Sequence, residues 1–140
     1  MGIEGSALRA LAWVFLVWSL AAPGAAFDWT PAREDAVVEI LTSDPDGDLR
    51  ETPVWIVVID DAAYVRTSDS KWLANIRRGS AVRLRIRDVE SAVEPEEVAG
   101  ALLTERVEAA FKAKYGFTQR VMSLFRMSEP TVLRLRPIEP

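Results

Sequence analysis

The sequence predicts a mainly β domain with a few short helices, and three stretches carry that prediction. The run Arg50-Glu51-Thr52-Pro53-Val54-Trp55-Ile56-Val57-Val58-Ile59 meets a second apolar run, Ala62-Ala63-Tyr64-Val65-Arg66-Thr67-Ser68, at Asp60-Asp61, the pattern of a hairpin. Ser80 to Asp88 alternates strictly, with Val82, Leu84 and Ile86 on one face and Arg83, Arg85 and Arg87 on the other. A similar pattern closes the chain, where Val132, Leu133, Leu135 and Ile138 are interleaved with Arg134 and Arg136. Between the hairpin and the alternating strand, Asp69 to Gly79 places Trp72, Leu73 and Ile76 at helical spacing and ends on a glycine. Strand, strand, helix, strand is therefore the expected central order.

Length and composition bound the rest. At 140 residues, with 27% charged and 49% apolar residues, the chain is one folded domain. Its formal charge of -4 argues against a nucleic-acid binder that works through bulk positive charge. With neither cysteine nor histidine there are no disulfides, thiolate nucleophiles, imidazole bases or ordinary zinc ligand sets. Chemistry in such a chain falls to carboxylates, Lys, Arg, Tyr, hydroxyls or a bound cofactor.

Residues 1–26 read as a secretory signal. Arg9 precedes an apolar run from Ala10 to Ala22, and Gly24-Ala25-Ala26 supplies small residues for a peptidase. The run falls short of the ~20 residues that span a bilayer, so cleavage after Ala26 is favoured over an uncleaved anchor at residues 10–22. The expected organisation is a leader, 1–26, and a domain, 27–140, exported to the periplasm or the exterior, with membrane contact only through the leader. Its loss removes Glu4 and Arg9, which cancel, and leaves the charge at -4.

Taken in order, Thr30-Pro31 can cap and open a helical turn, and Val37 to Thr42 alternates enough for a first strand. Asp44-Pro45-Asp46-Gly47-Asp48 then makes a turn. Its aspartate spacing resembles the opening of a calcium loop, but Leu49 and Trp55 stand where such a loop needs Gly and Glu, so no metal is expected. Ser91 to Val98 reads as a further strand weakened by Pro95, Glu94, Glu96 and Glu97, which an edge position or a loop would tolerate. From Ala101 to Tyr115, the spacing of Leu103, Val107, Ala110, Phe111 and Lys114 gives a helical face, with Glu108 and Lys112 as an i,i+4 pair. Gly116 stops it, and Thr118 can cap a second short helix with Val121, Leu124 and Phe125. The arginines of the two alternating strands would form a cationic stripe if those strands were neighbours; pairing with the many glutamates is the favoured reading.

The chemistry-bearing residues gather where the second hairpin strand ends. Arg66, Thr67, Ser70 and Lys71 meet at the expected helix start, a plausible phosphate seat. Each has a plainer reading: Lys71 and Arg66 as surface charges, Trp72 as core, Asn75 as a bridge to local backbone.

The order of apolar strand, turn, aromatic-rich strand ending in Thr and Ser, then Ser-Lys and a helix with Asn resembles the split-barrel flavoproteins. These are the pyridoxamine phosphate oxidase-like group and its deazaflavin-dependent relatives. Tyr64 to Asn75 carries the match, Pro53-Val54-Trp55 before a valine-rich strand is similar to the deazaflavin branch, and the pattern extends from Val38 to Pro137. The resemblance implies a split β-barrel of six antiparallel strands and three short helices. It also implies a homodimer and flavin mononucleotide (FMN) or a deazaflavin at the dimer seam, serving an oxidoreductase that acts on a small molecule. Arg66, Thr67, Ser70 and Lys71 would then hold phosphate, with Arg50 as a further anion contact. The backbone of Val54, Trp55 and Ile56 would line the ring, and Trp55 or Trp72 would pack on the ring or the seam. The Asp44 to Arg50 turn lacks the Gly-Arg-x-Ser-Gly type signature of the deazaflavin enzymes. A Sec-type leader also carries an unfolded chain, so the alternative is a non-catalytic exported module that binds a small anion or a partner protein.

Overall fold

The computed structural model describes residues 27–124 and 130–139, with the backbone alone for 117–124. The elements are α1 (Thr30–Glu34), β1 (Val38–Ser43), β2 (Leu49–Val54), β3 (Val57–Ile59), β4 (Ala62–Thr67), α2 (Lys71–Arg77), β5 (Val82–Ile86), β6 (Val89–Glu97), α3 (Ala101–Leu124) and β7 (Thr131–Pro137). All pairings are antiparallel, in the order β2-β1-β5-β6-β7-β4-β3.

That order forces curvature. β2 and β3 lie at opposite ends of the seven-stranded sheet, yet only Trp55 and Ile56 separate them in the chain. In a flat sheet, six strand spacings of about 4.8 Å would hold the edges roughly 29 Å apart. Three peptide units from Val54 to Val57 reach at most about 11 Å. The sheet therefore curls until its edges nearly meet, which makes it a split barrel. Six strands were expected and seven form, because the apolar run Arg50 to Ile59 divides at Trp55-Ile56: its first part pairs with β1, its second with β4.

The crossing strips Ile56 of sheet partners, and α3 supplies replacements. The Ile56 N–H donates to the Tyr115 hydroxyl at 2.9 Å, and the Ile56 carbonyl accepts from Lys114 Nζ at 2.8 Å. The Tyr115 proton is within reach of the Ala36 carbonyl at 2.8 Å and the Ile56 carbonyl at 3.1 Å, and Lys114 Nζ also donates to the Ala32 carbonyl at 2.8 Å. Burial pushes the Lys114 ammonium below its ordinary pKa and the Tyr115 phenol above it. Directly after them Gly116, at φ 53° and ψ -122°, breaks α3 into two helices, a conformation open to glycine alone.

Two apolar layers result. Inside the barrel, Ile40, Ile56, Val65, Leu84, Val93, Leu133 and Leu135 pack beneath Trp72 and Leu73 of α2 and Trp29 and Ala32 near α1. Outside, Val57, Tyr64 and Val132 meet Val107 and Phe111 of α3. Burying one such side chain contributes about 1.5–3 kcal/mol.

Several local expectations change. β6 is neither edge nor loop: its residues 89–93 pair with β5 and 93–97 with β7, so Pro95 lies where only β7 runs alongside. Because β6 separates β5 from β7, the arginines face glutamates rather than each other. Arg85 stands opposite Glu90 and Arg136 opposite Glu94, and Arg85 also pairs with Glu39 and Glu51. The β5 alternation stops at Ile86 because Arg87 and Asp88 both take positive φ in the β5–β6 turn. Arg87 is fixed there by Glu34 and Asp35. Trp29 rather than Thr30 occupies the α1 N-cap, and Glu108 engages Arg66 rather than the expected Lys112. The expected cap at Thr118 and the side chains of Val121 and Leu124 fall where only backbone is described; Phe125 and residues 1–26 lie outside the described residues.

Removing the Tyr115 hydroxyl should loosen the barrel corner. Tyr115→Phe leaves the Ile56 N–H without its acceptor at a cost of about 1–3 kcal/mol, read as a lower urea midpoint with an unchanged slope. A loss below about 0.5 kcal/mol would show that the corner does not depend on this bond.

Candidate functional site

The β1–β2 turn folds over α2 and leaves an open cleft of about 460 Å³, lined among others by Asp44, Asp46, Arg50, Lys71, Asn75 and Arg78. Local sequence explains the turn. Gly47 takes φ 92°, the Asp48 N–H donates to Asp46 Oδ1 at 2.9 Å, and the Asp44 N–H donates to the Asp48 carbonyl at 2.8 Å. Register places Arg50 opposite Thr42, so its side chain reaches back to Asp44.

A connected network crosses the cleft floor. Arg50 donates from Nε to Asp44 Oδ1 at 2.7 Å and from Nη2 to Asp44 Oδ2 at 2.9 Å. Asn75 Nδ2 donates to the same Asp44 Oδ1 at 2.9 Å and to Thr42 Oγ1 at 3.0 Å. Asn75 Oδ1 accepts from Arg78 Nη2 at 2.6 Å, and that nitrogen also donates to the Ser43 carbonyl at 3.3 Å. Asn75 is only 1% exposed, so each of these bonds is costly to lose. The Arg50 hydrogen bond, then that of Asn75, holds the Asp44 carboxyl below its ordinary pKa, and Asp44 raises that of Arg50. Lys71 lines the same cleft, near enough for its charge to favour the Asp44 carboxylate slightly.

The sequence-predicted residues divide among three places. Arg50 and Lys71 share the cleft. Arg66 points to the opposite face of the sheet, paired with Glu108 and lying 4.4 Å from the Phe111 ring centroid. Thr67 ends β4 opposite Thr131, while Ser70 spends its hydroxyl as the α2 N-cap, accepting from the Leu73 N–H at 3.3 Å. Trp72, Val54 and Ile56 are buried in the barrel core, with Trp72 4% exposed. Trp55 stacks on Tyr115, with ring centroids 4.3 Å apart and planes at 8°. Arg78 and the two aspartates are cleft residues that the sequence reading did not select. The Arg77-Arg78-Gly79 helix end is the local signal for Arg78, and the two aspartates belong to a turn whose likeness to a calcium loop fails at Leu49 and Trp55. Among the described residues, no group of carboxylates could hold a metal ion.

With this geometry in hand, the relatives can be compared. Residues 31–135 match the family described as "Uncharacterized protein conserved in bacteria (DUF2255)". The chain belongs to the DUF2255 family. No protein of curated function matches it in sequence. Among solved structures, this DUF2255 chain is similar to HutZ, the heme storage protein of Vibrio cholerae, at TM-score 0.63 and 16% identity, covering 79% of this chain and 87% of that one. It is similar to the F420-H2 dependent reductase FDR-A at TM-score 0.57 and 16% identity, covering 72% and 94%. A third neighbour, described as a domain-swapped dimer, covers 92% of this chain and 96% of its own at TM-score 0.58 and 14% identity. At these identities the likeness shows the fold, which is the split barrel of the flavoprotein and heme-binding groups.

Acid should test the network. Asp44, Asp35 and Glu97 all sit below their ordinary pKa through bonds to Arg50, Arg87 and Arg77 respectively. The unfolded chain therefore binds more protons than the folded one as pH falls through the carboxylate range. Their contribution is complete above about pH 5 and is lost progressively as pH falls through the lowered folded values. The urea midpoint should fall steeply in that range, and Asp44→Asn should flatten part of the fall; an unaltered acid limb would remove Asp44 from the account.

Proposed function

We propose that this DUF2255 protein binds a phosphate-bearing flavin or deazaflavin, with the phosphate end in the cleft of Arg50, Lys71 and Arg78, and serves as an oxidoreductase acting on a small molecule. The observation that carries this reading is the convergence of three cations on one cleft of a split barrel in a chain whose overall charge is -4. The residues fit a phosphate: a guanidinium carries five N–H donors, so Arg50 and Arg78 each have donors beyond those spent on Asp44, Asn75 and Ser43, and the Lys71 ammonium adds a point charge. When bound, the cofactor would supply the hydride or electron-pair chemistry that a chain without His or Cys lacks. The protein's own part is to bind and orient. Asn75 keeps Asp44 and Arg78 in place, and Trp55, stacked on Tyr115 in the outer layer with α3, would pack at the seam with a second protomer. Ser70 caps the helix that carries Lys71 and Thr67 ends β4 opposite Thr131, whereas Arg66 serves the α3 contact.

A homodimer is part of the proposal, supported by the resemblance and by the domain-swapped neighbour. So is export of the 27–140 domain after removal of residues 1–26, which rests on the leader pattern alone. The reductase neighbour supports a deazaflavin and the heme storage neighbour supports a different planar ligand. A second reading follows from the Asp44–Arg50 pair. With Arg50 partly neutralised, the cleft also suits a small anion bound without redox chemistry, in a non-catalytic exported module.

Adding FMN or a deazaflavin to the purified protein should give a stoichiometric coloured complex. Lys71→Ala and Arg50→Ala should each raise its Kd by roughly tenfold or more. Failure of both cofactors to bind at micromolar concentration would reject the oxidoreductase and leave the anion-binding module.

A further inference from the structure

We infer that Asp44 is a specificity-determining residue of the cleft: an internal carboxylate seated on the Arg50 guanidinium, which lets phosphate dianions in and keeps ligand carboxylates out. This rests on the reading of the cleft as an anion seat. A guanidinium carries five N–H donors, and Asp44 occupies the Nε and Nη2 side of Arg50 with both carboxylate oxygens, at 2.7 and 2.9 Å. That is the two-pronged geometry an incoming carboxylate or phosphate would itself use.

Asp44 is not placed to swing aside. Its Oδ1 also accepts from Asn75 Nδ2, and its backbone is closed into the turn by the Asp44 N–H to the Asp48 carbonyl at 2.8 Å and the Gly47 N–H to the Asp44 carbonyl at 2.9 Å. A monoanionic carboxylate entering the cleft offers Arg50 only what Asp44 already gives, and must shed water and face the Asp44 charge to do so. A phosphate dianion is repelled by Asp44 more strongly, but its second charge and third oxygen can be met together by Lys71 and by the remaining donors of Arg50 and Arg78, with Asp44 still in place. The charged groups that line the cleft are Arg50, Lys71 and Arg78 against Asp44 and Asp46, three positive and two negative, for a sum of +1. Neutralising either aspartate raises that sum equally, but only Asp44 touches Arg50.

The experiment compares the full-length protein with its Asp44→Asn and Asp46→Asn variants, using inorganic phosphate and acetate as probes in calorimetric titrations at fixed ionic strength. Wild type is expected to take phosphate and reject acetate. Asp44→Asn should bind phosphate at least about threefold more tightly and begin to bind acetate, with a smaller change in Asp46→Asn. Equal effects in the two variants would reduce the result to net charge and overturn the inference, as would no tightening in Asp44→Asn or no phosphate binding in any of the three proteins. Should Asp44→Asn fail to fold, the Arg50 Nε–H resonance of the wild type decides. It should move with added phosphate and stay fixed with acetate; a phosphate response confined to Lys71 would overturn the inference. The parent reading fails separately. FMN binding without an Asp44 effect keeps the cofactor and drops the carboxylate's role, whereas a phosphate response without FMN binding does the reverse.

Discussion

Trp55 and Ile56 carry the chain from one edge of the sheet to the other, and the geometry of the whole domain follows from how short that crossing is. A seven-stranded antiparallel sheet of this order could lie open only if β2 and β3 were joined by a long connection. They are not, so the sheet must curl, and the backbone polar groups at the crossing must find partners outside the ladder. Tyr115 and Lys114 supply them, which makes the end of the first half of α3 a structural part of the barrel rather than a cover laid over it. Gly116 then allows the helix to turn away at once.

Closure also explains where chemistry can sit. Inside the barrel the side chains are apolar, and the outer strand face is covered in part by α3 and in part by arginine and glutamate partners. The charged cleft lies at the rim, where the β1–β2 turn meets α2. There a buried asparagine ties strand, turn and helix together and arranges Asp44, Arg50 and Arg78 around one cleft. The constellation owes little to α2 as a helix terminus: the helix has seven residues, and its capping hydroxyl is already used by Leu73. It depends on side chains fixed by the turn and the register.

Much of the fold was legible in the sequence because strand alternation is a local signal. Val82, Leu84 and Ile86 face the core as their period of two requires, and Asp60-Asp61 turns the hairpin. The division of the central run was not legible. Val54 to Ile59 is uniformly apolar and holds neither glycine nor proline, so nothing local distinguishes one long strand from two short ones that pair at opposite edges. Pro95 does sit at a one-neighbour position, but that the rest of β6 has two neighbours was not legible, because this is decided by register, not by composition. At the site, Arg50 and Lys71 were found as cations near an expected turn and helix start. Arg66, two residues beyond Tyr64, shares that residue's outward face and so departs from Thr67, as strand geometry requires. Asn75 as a hub, and the Lys114-Tyr115 stitch, depend on partners more than thirty positions away, which no local pattern announces.

The position of the phosphate is the most direct test. A crystal structure of the protein grown with FMN should show the phosphate within hydrogen-bond distance of the Lys71 ammonium and of the remaining N–H donors of Arg50 and Arg78. Phosphate density beside Arg66 on the opposite sheet face, or a cleft holding only solvent at saturating flavin, would contradict it.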